Sequence, residues 1–507
     1  MQIVTIFCVL LSLLSAGQLA AQPTPLRIGR QKQLFIDDYI VATQSGISKT
    51  LHQPKKHTAN PILPMVPAGE SDWQQGMPIS FSTVLFDEET AMFKLWYSLH
   101  EKGESDSQAV LAYATSYDGH HWETPTLGLH EYRGTWQNNV VIPSQGLECG
   151  ILKDDHERNP AKRYKMLYPG IRAAYSADGL HWQDYNDGER VIFHAPGHDS
   201  QSVPYWDEDL GKYVAIIRDR TGMIKRVRTI LVTDPAARAG WKELWGGEGK
   251  KRSPESHSIR QVGQVESDDF LHWTPMRTIV APDASDPPNR DQFYNMQVLL
   301  YEGLRLGFVT VFSYDPEYCR GAVQLTYSRD GLNWERAANR AVFLPTSDNP
   351  SDVDWGAVYP LQGPIVLGDE IWIYYNGYAA DHNHRLYPGV KGFPNGICLA
   401  KLRLDGFVSV GAGADEGTLT TKPFALEGER LELNADARDG HVLVEILDDQ
   451  SQPLTGLTKE DCVPLRTDRL RHVVEWAGNS RLGVARSKPI QLRFYLREAK
   501  LFSFTIR

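Results

Sequence analysis

Ser116-Tyr117-Asp118-Gly119-His120-His121-Trp122 recurs three times along the chain, as Ser176-Ala177-Asp178-Gly179-Leu180-His181-Trp182, Ser267-Asp268-Asp269-Phe270-Leu271-His272-Trp273 and Ser328-Arg329-Asp330-Gly331-Leu332-Asn333-Trp334. A heptapeptide that returns at wide intervals marks a repeated supersecondary unit. Each copy follows a short apolar run. The Asp-Gly pair supplies the positive φ of a tight turn, and the Trp is placed to cover the sheet end where the chain reverses. Each copy therefore predicts a β-hairpin. A degraded fifth copy stands at Asp405-Gly406-Phe407, with Ser409 in the Trp position.

After each full copy comes an apolar segment, usually closed by Pro: Val140–Pro143, Val191–Phe193, Ile279–Pro282 and Ala341–Pro345. These read as outer strands. The fifth copy has none downstream, but Pro61-Ile62-Leu63-Pro64 has that form and precedes the first copy, so the N-terminus is expected to supply the last blade's outer strand. Two apolar strands precede each hairpin, such as Ser82–Phe86 with Phe93–Tyr97 and Val298–Tyr301 with Leu306–Phe312. Four strands in each of five units predict an all-β chain: a five-bladed β-propeller over 30–410, closed so that no sheet edge is exposed. An array of sandwiches with coincidental Asp-Gly hairpins is the alternative. From about Gly411 longer alternating strands predict a small antiparallel β-sandwich over 411–507. Trp476 and Tyr495 lie within its strand pattern, which favours packing over sugar binding.

The 507 residues are 41% apolar and 23% charged, a soluble globular balance, and the net charge of −10 with interspersed signs offers no basic face for nucleic acid or anionic lipid. Ile3–Leu14 is an apolar run followed by small residues, which reads as a signal peptide over 1–21 and predicts export to the periplasm or medium. No later segment approaches ~18 uninterrupted apolar residues, so no membrane span is expected. Cys149, Cys319, Cys398 and Cys462 are widely spaced, without CxxC pairs, and are expected to be buried free thiols.

In a propeller the innermost strands converge on a central funnel, and the loop leading into each faces its mouth. Those loops carry Glu70, Asp72 and Trp73; Glu148; His198, Asp199 and Ser202; Asp286, Arg290, Asp291 and Tyr294; and Asp352, Asp354 and Trp355. An acid occurs every time. Convergent carboxylates suit glycoside hydrolysis, in which one acid protonates the leaving oxygen and another carboxylate activates water or attacks. Loop aspartates are also ordinary turn formers. Asp199 is the best single candidate, because the polar run His198–Ser202 is unexpected at the start of a buried strand. Tyr294, Trp355 and Trp73 are expected to stack on sugar rings, and Asp291 and Asp354 to bind hydroxyls. Arg218, Arg220, Arg226 and Arg228 offer a clamp for an anionic group or a solvated basic edge. His382 and His384 face sugar hydroxyls, a metal or solvent. Asp37 and Asp38 either reach the funnel or cap a turn. No cofactor is expected beyond a structural Ca²⁺ that the funnel could hold.

Asn60-Pro61-Ile62-Leu63, Phe93-Lys94-Leu95-Trp96-Tyr97, Trp372-Ile373-Tyr374-Tyr375 and the Asp-Gly hairpins resemble the five-bladed propeller glycosidases of families 32, 43 and 130, and in particular exported bacterial proteins similar to the family 32 N-terminal domain. The resemblance covers residues ~30 to 410 and says more about fold than reaction. It implies three acids at the starts of the first three blades. By position these are Asp72 and Glu148, as base or nucleophile and pKa modulator, and Asp199 as general acid. The chain departs from those families in having no Trp-Met-Asn-Asp-Pro-like first motif. The expected activity is exo-acting hydrolysis of a plant or algal glycan, with phosphorolysis or non-catalytic glycan binding as alternatives.

Overall fold

The computed structural model describes residues 25–67, 72–100, 109–144, 146, 148–192, 200–220, 260–286, 292–314, 318–391, 394–483 and 488–507. The signal-like segment, Glu70, His198, Asp199, Arg226, Arg228, Arg290 and Asp291 lie outside them.

Five antiparallel blades follow one another along the chain. Blade one pairs Ile79–Asp87, Met92–Leu99, Val110–Ser116 and Val140–Ile142 in that order. Blade two runs from Gly150–Lys153 through Tyr164–Tyr168 and Arg172–Ser176 to a two-residue outer strand, Gln183–Asp184. Val191–Phe193, expected as that outer strand, is not one among the described residues: Val191 and Ile192 are buried core, with the Val191 N–H bonded to the Ile171 carbonyl. Blade three is Val203–Asp207, Lys212–Asp219, Gln261–Ser267 and Arg277–Val280. In blade four, Gln292–Tyr301, Leu304–Tyr314 and Cys319–Ser328 end on two short outer strands, Glu335–Arg336 and Val342–Leu344. Blade five has a broken inner strand, Ala357–Pro360 and Ile365–Leu367, then Glu370–Tyr378 and Asn395–Arg403. The N-terminal Lys55–Lys56 and Leu63–Pro64 complete it, pairing with Asn395–Arg403 and closing the ring.

The repeated heptapeptide builds the same turn in each copy. Ser116 Oγ accepts the Gly119 N–H at 2.9 Å, while Asp118 Oδ1 accepts the N–H groups of His120 and His121 at 2.8 Å. The glycine sits at φ +73°, and Phe270 takes the same left-handed place in the third copy at +68°. These turns also join blades: Trp96 Nε1 donates to the Gly179 carbonyl (2.7 Å) and the Tyr374 hydroxyl to that of Gly119 (2.9 Å). A Cβ on either glycine would lie within 2.6 Å of the neighbouring blade.

Two further sheets form the sandwich. One is Ser48–Leu51, Val408–Ala412, Ala499–Ile506, Leu431–Asp436 and Asp468–Val473, with Gln33–Leu34 beside Ala499–Ile506; the other is Val41–Ser45, Gly417–Thr421, Gln491–Arg497 and His441–Leu447. Residues 33–51, expected within the propeller, thus belong to the sandwich, whose core of Phe35, Leu419, Trp476, Phe494 and Phe504 needs them. Trp476 donates to the Val444 carbonyl from inside that core. The degraded fifth turn is the hinge between units. Instead of capping a hairpin, Asp405 is buried against Lys32, Tyr301, Asn434 and Ser503, and the chain runs on into the sandwich.

Candidate active site

Each inner strand begins at one end of the ring, here the mouth, and runs toward the end that carries the Asp-Gly turns. Buried amides tie the inner strands together beneath the mouth. Gln201 Nε2 donates to the carbonyls of Ser82 (3.1 Å) and Cys149 (2.8 Å), and its Oε1 accepts from Gln297 Nε2 at 3.0 Å. Gln362 bridges blades two and three, donating to the carbonyls of Ile151 and Pro204 at 2.9 Å and accepting the Ile151 N–H. Backbone at the inner strands of blades one, two and three is satisfied this way, as buried polar groups require. It also gives part of the His198–Ser202 run, read as a catalytic signal, a packing role: Ser200, Gln201 and Ser202 are all buried, and Gln201 is a plug residue.

Above the plug, two inner strands are bulged. The pairing register shifts between Ser80 and Ser82 in blade one and between Phe293 and Met296 in blade four. Bulges re-aim side chains. Here they turn Phe81, at φ +30°, and Tyr294 face to face, with ring centroids 6.1 Å apart and planes 15° from parallel. Tyr294 also meets Tyr359 at 5.2 Å and His382 at 5.1 Å. All four are only half-buried, so they line the mouth. The Arg218 guanidinium lies 4.4 Å from the Tyr294 ring and donates to its carbonyl at 2.6 Å, and Arg260 approaches the same ring at 5.6 Å. Arg218 is 1% exposed. Its burial against the Tyr294 ring differs from the solvated basic edge that the sequence offered as one reading. Burial, with the charges of Arg260, Arg218 and His384, holds the His382 imidazole far below its ordinary pKa, so it is neutral and bonds the Tyr359 hydroxyl through Nδ1.

Glu148 is buried, 7% exposed, immediately before Cys149, whose carbonyl anchors the plug. Its φ is +62°, a left-handed conformation that an L side chain adopts at a cost. Two positions near it admit only glycine: a Cβ on Gly146 would fall 2.1 Å from the Leu111 nitrogen, and one on Gly150 1.7 Å from the Ser202 carbonyl oxygen.

Other expected residues lie elsewhere. Asp72 is exposed and caps its own turn by accepting the Gln74 N–H, and Trp73 packs edge-on against Tyr132 at 5.6 Å on the flank of blade one. Asp354 is paired with Lys56 and Tyr375 in a separate cavity, because its loop crosses the middle strand of blade five. Trp355 is buried under Tyr318 and Tyr387, and Tyr387, 42% exposed, is the ring that solvent reaches. Asp286 pairs with Arg336 and Arg340, and Asp352 caps a turn with Ser347 and Asn349. Asp37 is held in a bidentate pair by Arg329 of the fourth heptapeptide, at 2.7 and 3.0 Å, which docks the sandwich at the end away from the mouth. The four cysteines are buried and free. Among the described residues no group of three His, Cys, Asp or Glu is placed to hold a metal ion, and no helix is long and apolar enough to cross a membrane. Phe81, Tyr359 and Arg260 carried no sequence signal, since only the bulges and the ring closure bring them to the mouth.

No protein-family description and no curated protein matches the chain. Solved structures similar to it include a glycosyl hydrolase from Bacteroides ovatus, at 14% identity over 69% of this chain and 94% of that one (TM-score 0.41). A thermostable family-43 glycoside hydrolase is 13% identical over 68% and 91% (TM-score 0.40), and a β-1,2-mannobiose phosphorylase from Listeria innocua 11% over 71% and 97% (TM-score 0.39).

Proposed function

We propose that the protein is an exported glycoside hydrolase that binds a sugar at the propeller mouth, with Glu148 and Asp199 as its carboxylates. The reading is supported by the pair of bulges that turns Phe81 and Tyr294 face to face, and by Glu148, buried and in left-handed backbone where the chain enters blade two. Aromatic rings with exposed faces suit the C–H face of a sugar, and His382, neutral, and Tyr359 suit its hydroxyls. Strain kept at one acidic residue is a feature of functional sites. Asp199 enters from its sequence position at the start of blade three. One carboxylate would protonate the leaving oxygen and the other would activate water or attack the anomeric carbon. A plant or algal oligosaccharide is the expected substrate.

The test is release of reducing sugar from a panel of plant and algal oligosaccharides by the mature protein, run beside Asp199→Asn and Glu148→Gln. Turnover that disappears in both variants while binding persists supports the hydrolase. Binding without turnover in the parent supports a glycan-binding propeller. Release that requires inorganic phosphate supports a phosphorylase.

A further inference from the structure

Outside the mouth, where the N-terminal strand closes the ring, lies a cavity of about 630 Å³ between Lys56–Pro67 and the loop 351–354. That is the size of an ordinary ligand pocket, and it is separate from the axis. Its floor is an ion pair. Asp354 Oδ2 receives the Lys56 ammonium at 2.6 Å and the Tyr375 hydroxyl at 2.8 Å. Asp354 is only 4% exposed, yet its Oδ1 has no hydrogen-bond partner among the described residues. The lysine ammonium has three donors and gives one to Asp354. The Lys56 side chain is 27% exposed, so its remaining donors are open to the cavity.

The open positions are one acceptor and neighbouring donors, held side by side with nearly balanced charge. Pro61, Pro64 and Pro67 add flat apolar surface to the same cavity. Two vicinal hydroxyls on a sugar ring each donate and accept, and the ring's C–H face is apolar. From this we infer that the seam cavity is a second, non-catalytic binding site for a neutral sugar, with one hydroxyl donating to Asp354 Oδ1 and its neighbour accepting from Lys56. The site anchors a glycan at the rim of blade five, and its existence does not depend on the chemistry at the mouth.

Titration calorimetry of the full chain with neutral pentoses, hexoses and their disaccharides tests it. Ser351→Trp blocks the cavity from its exposed rim without touching the ion pair, and Lys56→Met with Asp354→Asn removes both charges together, so that no buried charge is left unpaired. Thermal melting confirms that each variant folds. The expected result is a sugar whose binding survives Tyr294→Ala but weakens at least tenfold in Ser351→Trp and in the double variant. The inference is overturned if no sugar on the panel binds the parent, or if Ser351→Trp leaves every binding constant unchanged. Failure at the mouth reads differently: turnover indifferent to Glu148→Gln and Asp199→Asn.

Discussion

Replacing Glu148 separates strain held for chemistry from strain held for the fold. An L residue in left-handed backbone costs about 1–2 kcal/mol, and glycine does not bear that cost. Glycine returns ~0.4–1 kcal/mol through the entropy of the unfolded chain. Gly146 and Gly150 lie hard against neighbouring backbone, and on that ground the local backbone of Glu148→Gly is expected to match the parent. If the carboxylate serves only the reaction, Glu148→Gly gains up to about 1 kcal/mol in urea unfolding and Glu148→Gln changes by less than about 0.5 kcal/mol. Both should lose turnover by a factor on the order of 10²–10⁴ or more, the usual contribution of an acid–base group. The paired assay is equilibrium unfolding and initial rate on the best substrate of the panel. Destabilisation of 2 kcal/mol or more in both variants, with turnover retained, would refute the reasoning and make Glu148 a structural buttress of blade two.

Two further outcomes test the frame that holds the mouth. Gly119→Ala should cost about 2–4 kcal/mol, because it combines a left-handed penalty with a Cβ 2.5 Å from the Tyr374 hydroxyl, whereas Gly211→Ala, at φ +62° with nothing within 4 Å, should cost only about 1 kcal/mol; equal losses on denaturation would show that the turns do not join blades. Acid stability should report Asp87. Burial alone would raise its pKa, but hydrogen bonds and charge from Lys153 and Lys94 outweigh it and bring the carboxyl down to about 2. A carboxyl lowered in the folded state stabilises above its unfolded pKa and loses that contribution as pH falls from about 4 to about 2, here roughly 2 kcal/mol, and Asp87→Asn should flatten that part of a stability–pH profile.

The heptapeptide was legible because its chemistry is local. Ser116 and Asp118 satisfy N–H groups two and three residues on, so the turn needs no tertiary partner to be recognised. The ring closure by Leu63–Pro64 was legible for a related reason, since one repeat lacked an outer strand and one unclaimed segment had its form. The assignment of residues 33–51 was not. Short apolar strands there fit either sheet system, and only long-range pairing with Val408–Ala412, Gly417–Thr421 and Ala499–Ile506 decides. The placement of the loop acids was not legible for the same reason. Asp286, Asp352 and Asp354 follow the spacing of funnel residues, but spacing does not show which way a loop turns, and each found a nearby partner.

The plug bears on the mode of action. Gln201, Gln297 and Gln362 are buried and hydrogen-bonded across the inner strands, and the sandwich docks through Arg329 and Asp405 at the end away from the mouth. On this arrangement we expect a ligand to enter the axis from the mouth and not to thread through. Such a blind cavity receives the end of a glycan chain, which is the geometry that exo-action requires and the reason the proposed hydrolase is expected to trim termini. A second sugar site at the seam would then hold the remainder of the same chain outside the axis. Terminal residues alone should be released from a long substrate, and an early appearance of mid-length fragments would contradict the blind mouth.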